Sequence, residues 1–427
     1  MTKVAFILSA LICGSPAVLL WGGPESLGIV AGIIALALTV TSFALRPVET
    51  KFLLSTVRPA VVIAAVPALW ILLQALPLGA FAHPIWTSAR SALGHPVTGT
   101  ISVDPGMTAI GLCQYLTLAA AGLLSTAVAV DRRRAEWLLL ALMIGGVISG
   151  LLVMTHDYLF AALKRPFPRA QAVDCAVMGA VIASAACIRI LEQYDASHSG
   201  RGSIPNLARR LALSCIALAI CTGAVLLNGN SGMFVATVCG IVVLVCMLII
   251  RWFGLGGWGT MALVAPAVGV AIVVAANQPA QPGRSWLLAL AETSSSASTA
   301  MNERMLEDAP LLGTGAGTFG ALAPIYREMD DPSYSSTAST TAAAFAIELG
   351  RPLLWLIAAA ALVAIVILLR ASLQRGRDWF YPAMGASCLI ALFISAFVNA
   401  GLLGTAPALI GAGAIGLALA QSKSRTV

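Results

Sequence analysis

The sequence has few charged residues, and this shortage excludes most classes of soluble protein. Only 10% of the 427 residues are Asp, Glu, Lys or Arg, whereas soluble domains contain about 25%. Hydrophobic residues make up 59% of the chain. The composition therefore excludes a soluble globular enzyme and a disordered chain, and it predicts a helical membrane protein.

The sequence also lacks the patterns that nucleic-acid and metal sites require. The net charge is +7, but the basic residues are scattered between apolar runs rather than gathered in one patch. The nine cysteines lie in or beside apolar stretches, and neither a CxxC motif nor a Cys/His zinc spacing occurs. We expect no nucleic-acid partner, no disulfide, no metal and no cofactor.

Long apolar runs make up most of the sequence. About 20 apolar residues cross a bilayer as a helix, and the chain offers about twelve such runs, which predicts an all-α polytopic membrane protein. The runs are 4–22, 27–45, 59–77, 107–130, 137–154, 171–191, 211–228, 232–250, 258–276, 341–369, 380–400 and 403–421. We therefore divide the chain into nine helices with short loops (1–276), one large loop (277–341) and three further helices (342–427).

The basic residues predict the orientation. Twelve helices place both termini on one side, and that side then receives 17 of the 25 Lys and Arg residues. Because loops rich in Lys and Arg stay in the cytoplasm, both termini are expected there. The 277–341 loop, which is unusually long for a structureless connection, is then external.

This large loop contains a dense motif. The run from Asp308 to Phe319 reads DAPLLGTGAGTF, and Tyr326 follows it. Gly313, Gly315 and Gly317 predict a turn with an unusual backbone conformation. A nucleotide-binding loop is disfavoured, because the glycines follow no strand and face away from cytoplasmic nucleotides.

The Asp308–Phe319 run, Tyr326 and the Glu348-Leu349-Gly350 sequence that opens an apolar helix together resemble the O-antigen ligase and O-antigen polymerase family. The large external loop between late helices and the smaller one after the fifth helix fit the same family. The resemblance implies a membrane-embedded fold of the GT-C type and a metal-independent glycosyltransferase. Such proteins move a glycan from an undecaprenyl-diphosphate carrier to lipid A core or to another carrier-linked glycan, in lipopolysaccharide or exopolysaccharide synthesis.

That chemistry needs cations for the diphosphate leaving group, an acceptor for the proton of the sugar hydroxyl, and an apolar groove for the polyprenyl tail. Membrane lipids and partner proteins in the membrane are further expected contacts. The candidate catalytic residues are His156, Glu348 and Arg304. The candidate substrate-binding residues are Lys164, Arg165, Arg169, Asp174, Arg327, Arg351, Gly313, Gly315 and Gly317.

Each charged candidate also has a purely structural interpretation as half of an ion pair, which would contribute little at a surface. The pairings that the sequence allows are Arg304 with Glu307 or Asp308, Arg327 with Asp330 or Asp331, Arg351 with Glu348, and Asp174 with Arg169 or Lys164. Asp174 stands out, since an ionisable group inside an apolar helix is costly and is usually paired or functional.

The chain departs from the family pattern at positions that matter for catalysis. Ser339 and Thr340 stand where the family usually has a His-Asn pair, and the tract at 294–296 stands where a leaving-group arginine often lies. His156 is the external histidine beside a basic cluster and is therefore the candidate replacement base. The alternative is a catalytically degenerate member that acts as a scaffold or partner subunit of a membrane complex.

Overall fold

Long apolar helices form the body of the protein. The computed structural model describes residues 2–22, 24–44, 47–95, 98–163, 167–197, 204–253, 286–288, 291, 296–326, 337–376 and 378–423. The α-helices in these ranges are α1 (Thr2–Cys13), α2 (Ser15–Trp21), α3 (Pro24–Ala44), α4 (Pro47–Ala75), α5 (Ile85–Leu93), α6 (Pro105–Ala129), α7 (Arg132–Leu163), α8 (Arg169–Ser197), α9 (Ile204–Leu227), α10 (Ser231–Trp252), α11 (Ser296–Asp308), α12 (Phe319–Leu322), α13 (Thr341–Glu348), α14 (Arg351–Gln374), α15 (Phe380–Val398) and α16 (Thr405–Ala420).

Nine helices within these ranges are long and apolar enough to cross a membrane, namely α3, α4, α6, α7, α8, α9, α10, α14 and α15. This confirms a polytopic helical membrane protein. The apolar helices α1 and α16 are shorter. The apolar run predicted at 258–276 lies outside the described residues.

Two predicted runs are each divided into two helices, which corrects the sequence prediction. The run at 4–22 breaks at Gly14, just before Pro16, into α1 and α2. The run at 341–369 breaks at Gly350, whose φ is +90°. Both α2 and α14 begin with a proline in their first two positions. Proline lacks the N–H that a continuous helix needs, but fits at a helix start.

The central helix of the bundle is α8, which is the most buried of the long helices and packs against α7, α9, α10, α15 and α16. Small residues permit this close packing. A Cβ added to Gly146 of α7 would lie 2.5 Å from the Cα of Gly179 in α8. Glycine and alanine at such contacts let helix backbones approach closely inside a membrane.

The two ends of the bundle differ in character. We call the end formed by residues 76–95, 98–104, 296–326, 337–350 and 399–404 the loop end. At the other end, ion pairs and cation–π contacts link the helices: Arg132 pairs with Asp378 at 3.3 Å, and Arg251 stacks over Trp379 at 5.1 Å. Arg189 pairs with Glu136 at the same end.

A small apolar core lies at the loop end beside the main bundle. Its buried side chains come from α11, α12 and α13 and from the segments before them, and include Leu288, Met305, Phe319, Leu322 and Ile347. The large loop is therefore a packed layer over at least its described part, and it holds the glycine-rich motif against the helices below.

Candidate functional site

The glycine-rich turn adopts the backbone that the sequence predicts. Gly313, Gly315 and Gly317 have φ values of +79°, +109° and +77°, a region that residues with a Cβ rarely enter. This confirms the expected unusual turn. Its backbone is bound to the end of α13, because the N–H groups of Thr314 and Gly315 donate to the carbonyls of Ile347 and Glu348, at 3.0 and 2.9 Å.

The space around the turn is filled by the protein itself. A Cβ on Gly315 would lie 2.7 Å from both Thr108 Oγ1 and Ser102 Cβ. The Thr314 carbonyl accepts the Val103 N–H at 2.8 Å. The positive φ values therefore bring the turn against the loop that precedes α6, and both Gly313 and Gly315 are buried.

Helix α4 supports the turn from below. Gln74 is fully buried, and its Nε2 donates to the Leu312 carbonyl at 2.8 Å and to the Glu348 carbonyl at 3.0 Å. Trp70 Nε1 donates to the Leu349 carbonyl at 2.9 Å. A buried carbonyl without a donor costs about 1–3 kcal/mol, so these side chains stabilise the break between α13 and α14.

Glu348 is a buried carboxyl that binds the turn. Its Oε1 accepts the Phe319 N–H at 3.0 Å, and the Gly317 N–H also points to the carboxyl. Burial raises the pKa of Glu348 to about 7, and the two N–H donors oppose that rise. The group can therefore gain or lose a proton near neutral pH while it anchors the start of α12.

Arg351 does not pair with Glu348 as the simplest sequence interpretation suggests. Arg351 Nη2 donates to the Leu306 carbonyl at 2.8 Å, which ties α14 to α11, and it forms no ion pair with Glu348. Arg304 is exposed on α11. Arg327 lies outside the described residues.

Ser339 and Thr340, at the positions of the family's His-Asn pair, make structural hydrogen bonds. The fully buried Asn302 of α11 donates to Ser339 Oγ at 3.0 Å and accepts the Ser339 N–H at 3.3 Å. Thr340 Oγ1 accepts the Ala343 N–H at 3.0 Å and so caps α13. These residues fix the layer, and neither side chain is a general base at neutral pH.

A second group of candidates lies at the start of α8. Arg169 is exposed at the first position of this helix, and its Nη2 reaches the Leu227 carbonyl of α9 at 3.5 Å. Asp174 is only 1% exposed and packs against Gly401. The proposed Arg169–Asp174 ion pair is not formed, since Arg169 turns to α9 instead.

His156 lies on α7 beside this second group. Its ring stacks on Phe167, with centroids 5.5 Å apart, and its Nδ1 lies 2.9 Å from the Val153 carbonyl. Phe167 lies two residues before the first residue of α8, so the stack brings His156 near the start of that helix. Lys164 and Arg165 lie outside the described residues.

The candidates thus fall into two groups, one around the glycine-rich turn and one at the start of α8. The segment 399–404 lies between them. The Asn399 carbonyl accepts both the N–H and the Oγ1 hydroxyl of Thr341, at 2.9 and 3.0 Å, and Gly401 packs on Asp174. This short segment physically links the loop layer to α8.

Sequence reasoning did not single out Gln74, Asn302 or Asn399, although all three are buried and hold the layer together. The available signal was an amide side chain inside or beside an apolar run, since a buried polar group needs partners. In the described ranges, no three His, Cys, Asp or Glu side chains converge as metal ligands would.

Comparison with protein-family models and with curated proteins finds no match to this sequence.

Proposed function

We propose that the protein transfers a glycan from a polyprenyl-diphosphate carrier at the loop end of the bundle. The observation that carries this proposal is the start of α8, where the exposed Arg169 and the buried Asp174 lie within two helical turns. The proposal includes a GT-C-like arrangement of about twelve helices in a bacterial inner membrane. It also includes cytoplasmic termini and a periplasmic loop end, as the basic residues predict.

The start of α8 has the chemistry that a diphosphate needs. The first N–H groups of a helix lack intrahelical acceptors and carry partial positive charge, which favours an anion. An arginine at the same place can bind a phosphate through two hydrogen bonds. In this proposal Arg169, together with Lys164 and Arg165, neutralises the leaving diphosphate.

The proton acceptor in this proposal is His156. It is held by its stack on Phe167, which is near the proposed diphosphate site. An imidazole nitrogen can accept the proton of the attacking sugar hydroxyl as a general base. Asp174, beneath the same helix start, would orient a cation or a sugar hydroxyl.

The test is release of the carrier diphosphate by the purified protein in liposomes that contain an undecaprenyl-diphosphate-linked glycan and a glycan acceptor. Release should fall at least about tenfold in Arg169→Ala, which corresponds to about 1.4 kcal/mol. The matched control is Arg133→Ala, an exposed arginine at the opposite end. Equal release by both variants would contradict the assignment of Arg169.

A second candidate is a non-enzymatic member of the family that binds carrier-linked glycan for a partner enzyme. It is favoured by the hydrogen bonds that occupy Ser339, Thr340 and Glu348 in structural roles. In that case the carrier binds with an affinity that depends on Arg169, but no diphosphate is released in liposomes. A deletion strain would still lose polysaccharide, which separates this candidate from a protein outside the pathway.

A further inference from the structure

Two cysteines face each other across the α8–α9 pair. Cys187 Sγ of α8 lies 3.9 Å from Cys215 Sγ of α9. Cys187 is half-buried, whereas Cys215 is exposed at the surface of the bundle. The two thiols are therefore accessible from the bilayer, in contrast to the buried Cys175, Cys221 and Cys388.

The helices that carry these thiols pack closely against each other. A Cβ added to Gly179 of α8 would lie 2.9 Å from Cys221 Sγ of α9, so the two backbones approach closely about two turns from the thiol pair. A disulfide needs an S–S distance of about 2.05 Å and Cα atoms about 4.4–6.8 Å apart. The proposed bond requires the two sulfur atoms to approach from 3.9 Å, through rotation of the two side chains.

The position of the pair favours a lipid-soluble oxidant. Cys187 lies two residues before Arg189, which pairs with Glu136 at the end of the bundle opposite the loop end. Cys215 is exposed on the outer surface of an apolar helix. A lipid-soluble oxidant can therefore reach Cys215 directly from the bilayer.

We propose that Cys187 and Cys215 form a reversible disulfide, with a membrane quinone as the two-electron oxidant. Two S–H bonds break and one S–S bond forms. The two electrons and the two protons pass to the quinone oxygens, which gives the quinol. Thiol reductants return the pair to its free form.

The disulfide would fix the helix that carries Arg169. At the loop end, α8 and α9 are joined by the hydrogen bond from Arg169 to the Leu227 carbonyl. A covalent bond between Cys187 and Cys215 fastens the same two helices at a second level. Oxidation therefore restricts any sliding of α8 against α9.

The test uses the full chain in native membranes, with a specific protease site inserted between Gly200 and Arg201, in the connection between α8 and α9. The membranes are treated with a fully substituted benzoquinone, which cannot alkylate thiols, and then cleaved. On a non-reducing gel we expect the two halves to migrate as one full-length band, which dithiothreitol separates. Cys187→Ser and Cys215→Ser should each lose this band, whereas Cys239→Ser, a buried cysteine of α10, should keep it.

A count of free thiols in the unsubstituted protein makes the test independent of any folding defect in the variants. Quinone treatment should remove two of the nine thiols. No loss of thiols overturns the proposal, as does a crosslinked band that persists in Cys215→Ser. Crosslinking by copper phenanthroline without crosslinking by the quinone would also overturn it, because the oxidant would then be wrong.

Discussion

At the scale of single residues, Glu348 makes a structural hydrogen bond and also has a carboxyl group that titrates near neutral pH. Its carboxyl anchors the Phe319 N–H, and its pKa of about 7 exceeds the usual value of 4.5 because the group is buried. The folded protein therefore binds this proton more tightly than the unfolded chain does.

The raised pKa of Glu348 predicts that the free energy of unfolding depends on pH. The contribution of Glu348 is fully present below its usual pKa of 4.5 and is lost as the pH rises through about 7. We expect the melting temperature in detergent to fall between pH 5 and pH 8, and to fall less in Glu348→Gln, which keeps an acceptor for the Phe319 N–H. Glu307→Gln, an exposed carboxylate of α11, is the control. An identical pH slope in Glu348→Gln would refute the role of this proton.

Gly315 provides a second prediction. Its φ of +109° and its contact with Ser102 and Thr108 leave no room for a side chain. Gly315→Ala should destabilise the protein by about 1–3 kcal/mol, the usual cost of a strained backbone, and should lower the amount of folded protein. Gly376→Ala, in an exposed connection with nothing within 4 Å, should be neutral. Normal stability of Gly315→Ala would show that the turn relaxes.

At the scale of helices, the sequence predicted which segments are helical but not where two of them break. Hydrophobic runs identify a span through its length, and this succeeded for α3, α6, α8 and α10. The break at Gly350 depends on distant partners, since Trp70 and Gln74 bind the carbonyls beside it. Such partners carry no local signal, so a continuous apolar run at 341–369 was the natural prediction.

The α7–α8 contact predicts a strong difference between two glycines. Gly179→Ala places a methyl group against the Gly146 backbone of α7, which cannot move aside, and should cost about 1–3 kcal/mol as overpacking. Gly223→Ala meets only the flexible end of Met154, at 3.3 Å, and should be tolerated. Thermal stability of the two purified variants, measured by size-exclusion chromatography after heating, checks this. Equal losses would mean that the α7–α8 contact is not the tighter one.

At the scale of the whole molecule, the orientation that we propose rests on the distribution of basic residues and can be tested directly. A cysteine at Glu307, at the loop end, should react with a membrane-impermeant maleimide in intact spheroplasts, whereas a cysteine at Arg133 should react only after permeabilisation. Both positions are exposed. The parent protein without these substitutions measures the background from its own thiols. The reverse pattern would place the loop end in the cytoplasm and remove the basis for carrier chemistry there.

The candidate site was predictable only in part, for a physical reason. The glycine motif was found because its three glycines lie two residues apart, and Glu348 was singled out through the family resemblance of the Glu348-Leu349-Gly350 sequence. His156, Arg169 and Asp174 lie within 19 residues of one another, and the sequence already grouped them. The stack of His156 on Phe167 could not be read from the sequence, because it depends on how α7 and α8 pack. The contact between Gly401 and Asp174 is of the same kind.

The hydrogen bonds of Gln74 impose an order on the synthesis of this chain. Its amide binds the carbonyls of Leu312 and Glu348, which follow it by 238 and 274 residues. At a translation rate of about 5–20 residues per second, the second partner leaves the ribosome roughly 15–55 s after Gln74. During that interval the amide of Gln74 must form its hydrogen bonds with other groups, such as water or an insertion factor. The loop layer is therefore among the last parts of the protein to assemble.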